Sequence, residues 1–246
     1  MPAPLGAARA APPPDLQQPE KQSSCTVRPA GPDDLPRIAE LHGAHLPHGL
    51  FPRLGPRFLR RWHRTFLDSP HGIALVTDDD GEVSGFLVGT SRQRAYVTGV
   101  LRRQRKQLAA TGLLCLALRP RVAFSFLRTR AGKYVRRIAR PTPAVAAGDG
   151  TLDLAVITAL VVDPALRGCG QGAALVERFA ELAGAAGAER AELVTLEGPE
   201  GATQFYASLG WEEVRTKQNK DGDAVALMRA RLGGAAESAV QEELDQ

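Results

Sequence analysis

The chain predicts an α/β domain, a mixed sheet flanked by helices. Short apolar, β-branched runs bounded by turn residues recur along it, and amphipathic segments of helical period lie between them. One junction, Arg167-Gly168-Cys169-Gly170-Gln171-Gly172, joins such a run directly to a helix. With 246 residues, 43% of them hydrophobic and 24% charged, the chain can bury a substantial single core and is ordinary in composition.

Residues 1–24 hold six prolines and five alanines and almost no large apolar group, so they read as a disordered tail. They lack the apolar core that follows a basic start in a secretory leader. The domain is expected over 25–232. A strand at Thr26–Pro29 leads to a helix over Asp34–His45, with Leu35, Ile38, Ala39 and Leu41 inward and Pro36 in the first turn, where its missing N–H costs little. A second helix over Pro56–Leu67 stacks Phe58, Trp62 and Phe66 against an opposite face of Arg57, Arg60, Arg61 and Arg64. Ile73–Thr77 and Val83–Gly89 form a hairpin about Asp80-Gly81. Leu154–Val162 is a buried strand. After it comes a helix whose inner side carries Leu175, Val176, Phe179, Leu182, Ala183 and Ala186. Strands follow at Ala191–Leu196, Glu212–Thr216 and Ala224–Arg229, and 233–246 is an acidic flexible tail.

Residues 91–150 are a basic, helical insert. Fourteen of the 31 basic residues lie between Arg92 and Arg140, and no acid occurs between Glu82 and Asp149. The other 17 bases face 27 acids, so the formal charge of +4 hides a polarised molecule. Val97, Val100, Leu101, Leu108 and Leu113–Leu118 give the insert a buried or interfacial side.

Cys25, Cys115 and Cys169 are odd in number and form no CxxC, which argues against a disulfide framework. No apolar run is long enough to span a bilayer. A cytoplasmic location is therefore expected.

The glycine junction carries the chemistry. Glycines at 168, 170 and 172 permit a tight turn and close approach of a ligand, and amides at a helix start favour an anion. A P-loop needs Lys and then Ser or Thr where Gln171-Gly172-Ala173 stand, and a dinucleotide fingerprint needs wider glycine spacing. Arg167-x-x-Gly170-x-Gly172 instead resembles the acyl-CoA pyrophosphate loop of the GCN5-related N-acetyltransferases, the GNAT family. Leu160-Val161-Val162-Asp163-Pro164 matches the family's strand-to-loop run. Ala202–Trp211 resembles its late helix ending in Leu-Gly-aromatic, and Val27–Ala30 with Asp33–Ile38 its first strand and helix. The resemblance covers 25–90 and 150–232.

It implies a GNAT-like, mostly antiparallel central sheet, with the insert between the third and fourth strands. It also implies acetyl-CoA as cosubstrate and direct transfer of acetyl to a primary amine, without a metal. The amides of Arg167, Gly168, Cys169, Gly170, Gln171, Gly172 and Ala173 would hold the pyrophosphate. The backbone of Leu160, Val161 and Val162 would take the pantetheine arm and polarise the thioester. Tyr206 stands where the family often has the acid that protonates the departing thiolate. Thr158 and Ala159 occupy the place of a Glu common in relatives, and Pro199 falls near a frequent Asn. The base is thus open among His48, Glu197 and water.

His42, His45 and His48 form HxxHxxH, but Pro47 breaks the helix and no Cys or acid completes a metal set. The basic insert suits an acceptor pocket for an anionic amine, whether small molecule or peptide. The alternative is an acyl-CoA-binding module that docks on RNA or an anionic membrane surface through 91–140. The oligomeric state, a homodimer included, is open.

Overall fold

The structure is a computed structural model, and it describes residues 26–48, 50–79, 81–119, 154–198, 201–219 and 222–233. The two expected tails, apart from Gly233, and the insert beyond Arg119 lie outside these residues. The strands are β1 (Thr26–Pro29), β2 (Gly72–Asp79), β3 (Glu82–Thr90), β4 (Leu154–Val162), β5 (Arg190–Leu196), β6 (Glu212–Gln218) and β7 (Ala224–Arg231). The helices are α1 (Leu35–His45), α2 (Leu50–Leu54), α3 (Pro56–Leu67), α4 (Gln93–Arg103), α5 (Arg105–Ala117), α6 (Gln171–Ala185) and α7 (Thr203–Ser208).

The sheet runs in the order β1-β2-β3-β4-β5-β7-β6. All its pairs are antiparallel except β4 with β5. A parallel pair needs a crossover, and α6 supplies it. This is the mixed, mostly antiparallel sheet that the resemblance implied. The β2–β3 hairpin turns at Gly81 (φ 88°), whose N–H donates to Asp78 Oδ1 at 2.8 Å. The five-residue α2 was not foreseen. Its first four residues, Leu50-Phe51-Pro52-Arg53, hold a proline and show no helical period.

Helices cover both faces. Beneath α6 and α7, Leu175, Val176, Phe179 and Ala183 pack with Leu75, Leu87, Ile157, Leu193 and Met228. A side chain at Gly89 would lie 2.5 Å from the Phe179 ring, so that glycine lets α6 settle onto the sheet. Beneath α1 and α3, Ile38, Leu41 and Phe66 meet Val76, Phe86, Val88, Ala159 and Val161.

The inner face of α3 differs from the expected stripe. Phe58, Leu59, His63, Thr65 and Phe66 are buried, and Trp62 is half-buried against both neighbouring clusters, so the inner face is wider than the stripe alone. The helix packs against two neighbours at once. Phe58 meets Leu54 and Cys115 of α5, while Phe66 meets the sheet. Helix α1 and the sheet close over His63, whose ring lies 5.1 Å from His42 and 5.3 Å from Phe86.

The described part of the insert leaves β3 as α4 and α5. Tyr96 stacks on Phe66 at 4.9 Å and shares a 2.6 Å hydrogen bond with the Thr65 hydroxyl. No helix among the described residues is long and apolar enough to cross a membrane.

Candidate active site

A break in the sheet creates the site. Strand β4 pairs with β5 only through Leu154, Ala155 and Val156, opposite Arg190, Ala191 and Glu192. Beyond Val156 the two strands part: β5 continues along β7 and β4 along β3. The β4 edge from Ile157 to Val162 is therefore not paired to β5, and its backbone groups face a splay.

A β-bulge lies at the point of divergence. Val88 faces Ala159 and Gly89 faces Ile157, which leaves Thr158 as the extra residue. The bulge reverses the facing of the strand. Ala155 and Ile157 join the core under α6, whereas Ala159 and Val161 join the core under α1 and α3. Leu160 and Val162 turn toward α6. An uninterrupted apolar run conceals this change, because every residue beyond the bulge still finds an apolar layer on its side. Thr158 is exposed at the bulge.

After β4 the chain makes a short 3-10 turn, Pro164–Leu166, capped by Asp163 Oδ1 accepting from the Ala165 N–H at 3.1 Å. Arg167 folds back, its Nε–H donating to the Val162 carbonyl at 3.3 Å. Its amide points to the Pro164 carbonyl (3.4 Å), so Arg167 brings its side chain but not its N–H to the loop. Gly168 (φ 83°) and Gly170 (φ 79°) adopt the left-handed conformation that a Cβ disfavours. From Gly168 to Ala173 no backbone N–H donates to any described residue. The first that does is Ala174, to Gly170 O at 3.0 Å. Residues 167–170 are exposed. Six consecutive free donors at the start of a fifteen-residue helix form an electropositive cradle at the open end of the splay.

Gln171 is the exception among the loop side chains. It is 4% exposed and turns inward, its Oε1 accepting from Ser84 Oγ at 3.0 Å. Ser84 in turn shares a 3.0 Å bond with Thr77 Oγ1. A buried polar chain thus ties the first turn of α6 to β2 and β3. The amide of Gln171 faces the cradle, while its carboxamide fixes the cradle's position. The buried Ser-Thr-Gln chain was missed in the sequence because its three members are far apart and none has a motif of its own.

Helix α7 closes the other side. A Cβ on Gly172 would stand 3.2 Å from the Phe205 ring, so this glycine admits α7 against α6. The neighbouring Tyr206 is 5% exposed and packs with Phe205 and Trp211 at ring separations of 5.0 and 5.6 Å. Burial raises its phenol above the usual tyrosine range, which keeps it protonated at neutral pH.

The remaining candidates separate. Glu197, after β5, accepts from Thr216 Oγ1 at 2.6 Å, and Glu213 shares that hydroxyl at 2.8 Å. His48 is exposed between α1 and α2. His42 points inward, its ring 5.1 Å from His63 and 5.5 Å from Trp62, so the HxxHxxH side chains diverge. Among the described residues no group of three His, Cys, Asp or Glu converges. Cys169 is exposed and Cys115 buried. Arg94, Arg102 and Arg103 line a cavity with Asp68 and His71. That cavity adjoins Gly72, and the row Gly72–Thr90–Val156–Glu192 crosses the sheet where β4 and β5 still pair. These insert arginines thus gather at the closed end of the splay.

Residues 131–213 match the model of the family described as acetyltransferase (GNAT) domain. A comparison with curated proteins finds no match. Among solved structures, a protein called SsHAT is 23% identical, with a TM-score of 0.55 over 85% of this chain and 99% of that one. The protein yncA of Salmonella typhimurium, solved with its cofactor acetyl-CoA, is 15% identical, with a TM-score of 0.54 over 86% and 95%. The ribosomal-protein-S18-alanine N-acetyltransferase of Escherichia coli is 13% identical, with a TM-score of 0.50 over 85% and 94%. The family match spans the glycine loop, and the chain has the fold of these solved acetyltransferases.

Proposed function

We propose that the protein transfers an acetyl group from acetyl-CoA directly to a primary amine. The row of six free amides from Gly168 to Ala173 at the mouth of the β4–β5 splay carries this reading. It suits a diphosphate, and the unpaired β4 edge behind it suits the amides of a pantetheine arm. The coenzyme supplies an activated acyl group as its thioester.

The residues of the chain do the rest. Loop amides hold the diphosphate, with the exposed Arg167 guanidinium beside them. Alternation along β4 turns the Leu160 and Val162 N–H groups to the free edge, where they stabilise charge as it develops on the carbonyl oxygen, while the Val161 N–H faces β3. The amine nitrogen bonds to the carbonyl carbon, the carbon–sulfur bond breaks, and Tyr206 gives its phenolic proton to the leaving sulfur. Thr158 and Ala159 have no basic group, and the amine's proton passes to water or, through it, to Glu197 or His48. The name of the Escherichia coli neighbour, an alanine N-acetyltransferase, supports an amine as acceptor.

Release of free thiol from acetyl-CoA across a panel of sugar, polyamine and peptide amines tests the proposal. Thiol release that depends on an amine is expected. Gly170→Asp, which adds a carboxylate to the cradle at a left-handed position, should weaken acetyl-CoA at least about tenfold by calorimetry. A protein that binds acetyl-CoA and releases no thiol with any amine is a binding module, and the proposal fails.

A further inference from the structure

We infer that the outer side of α4 and α5 docks on an anionic phospholipid bilayer. Beyond its first turn, Arg105-Lys106-Gln107, helix α5 is apolar at every position but Thr111, with no polar face for solvent. One side does pack: Cys115 is buried against Leu54 and Phe58, and Gly112 lies under the Phe58 ring. The opposite side holds Ala109, Ala110, Leu113, Leu114 and Ala117, all exposed. Leu113, Leu114 and Leu118 are 68, 58 and 64% exposed, and on α4 Val97 and Leu101 are 36 and 48% exposed. Of the seven exposed large hydrophobic residues described, four lie on these two helices and a fifth, Leu118, caps α5. Solvent-facing leucines gathered in this way mark an interaction surface.

Charge selects the occupant. Arg94, Arg102, Arg103, Arg105 and Lys106 are exposed on the same helices. Three of them also line the cavity of about 450 Å³ beside Asp68 and His71, room for a phosphate headgroup. Leucines to enter the acyl boundary and arginines to sit among headgroups are the two parts of an interfacial helix. A second copy packed two-fold would set five cations against five. The chain's own residues 120–148 carry seven more cations and no acid to pair with them. RNA is read by stacking on exposed aromatic rings, and the one aromatic ring on α4 and α5, Tyr96, is buried.

Flotation of the full-length protein with vesicles of phosphatidylcholine, alone and with phosphatidylglycerol added, tests this. Binding to the anionic vesicles is expected, falling with added salt and falling about fivefold for each of Arg102→Gln and Arg103→Gln. Leu113→Ser with Leu114→Ser should reduce it at least about tenfold. Because both leucines face solvent, that variant should keep the wild-type melting temperature and thiol release, which shows that it still folds. Absence of binding, equal binding to neutral vesicles, retention on RNA instead, or a dimer that the leucine variant dissolves would each overturn the inference. Vesicle binding needs no acetyl-CoA, so its failure leaves the catalytic reading intact, and the reverse also holds.

Discussion

Acidification should destabilise this fold through two buried histidines well before its carboxylates matter. His63 is fully buried and His42 is 6% exposed. They lie 5.1 Å apart among Trp62, Phe66 and Phe86. No described group bonds either His63 nitrogen or His42 Nδ1. Burial lowers His42 to about 4, and burial with the neighbouring imidazole lowers His63 to about 3, from an ordinary 6.5. A depressed imidazole binds fewer protons folded than unfolded, so protonation favours the unfolded chain. The stability it holds is full above pH ~6.5 and is lost as pH falls through that value toward the folded pKa. Each pH unit in this window costs about 1.4 kcal/mol per histidine, hence about 2 kcal/mol each from pH 6.5 to 5 and about 4 for the pair. For a domain of this size that is a fall in Tm of roughly 8 to 16 °C. Asp34 and Asp78 are held low by Arg28, and their contribution is lost only below the ordinary carboxylate range. Thermal melts from pH 7 to 5 are the assay, with His63→Leu as comparison. The variant should lose about half of the wild-type slope. Parallel profiles for the two proteins would refute the assignment.

Three perturbations address the site. Tyr206→Phe should lower kcat roughly 10²- to 10⁴-fold with the KM for acetyl-CoA little changed, as for loss of a general acid; a rise in KM alone would make Tyr206 a packing residue. Gln171→Leu leaves the Ser84 hydroxyl without its carboxamide partner and should cost about 1 to 3 kcal/mol in denaturant unfolding, along with weaker acetyl-CoA binding. Adding Ser84→Ala should recover most of that stability but not the binding, and recovery of both would remove Gln171 from any positioning role. Iodoacetamide on a Cys25→Ser background should modify exposed Cys169 and spare buried Cys115. Saturating acetyl-CoA should then slow the reaction, and an unchanged rate would place the coenzyme away from this loop.

Much of the fold is local in origin and was legible in the sequence. Alternation and β-branching located the strands, helical period located α1, α3 and α6, and glycine spacing located the tight turn before α6, because these signals arise among neighbours a few residues apart. The bulge at Thr158 was not legible. A strand buried on both faces is apolar at every position, so nothing in its composition records which layer each residue enters. The inward turn of Gln171 depends on hydroxyls at Thr77 and Ser84, which β2 and β3 bring beneath the start of α6. His63 became a core residue only once α1 and the sheet met α3, bringing His42 and Phe86 against its ring. The apolar run Leu113–Leu118 was legible, but which leucines face out was settled by the packing of Cys115 and Gly112 on Phe58. Spacing along the chain prescribes backbone conformation and which residues share a face. Where a polar group finds its partner, and where two paired strands separate, is decided by segments distant in sequence competing for the same space.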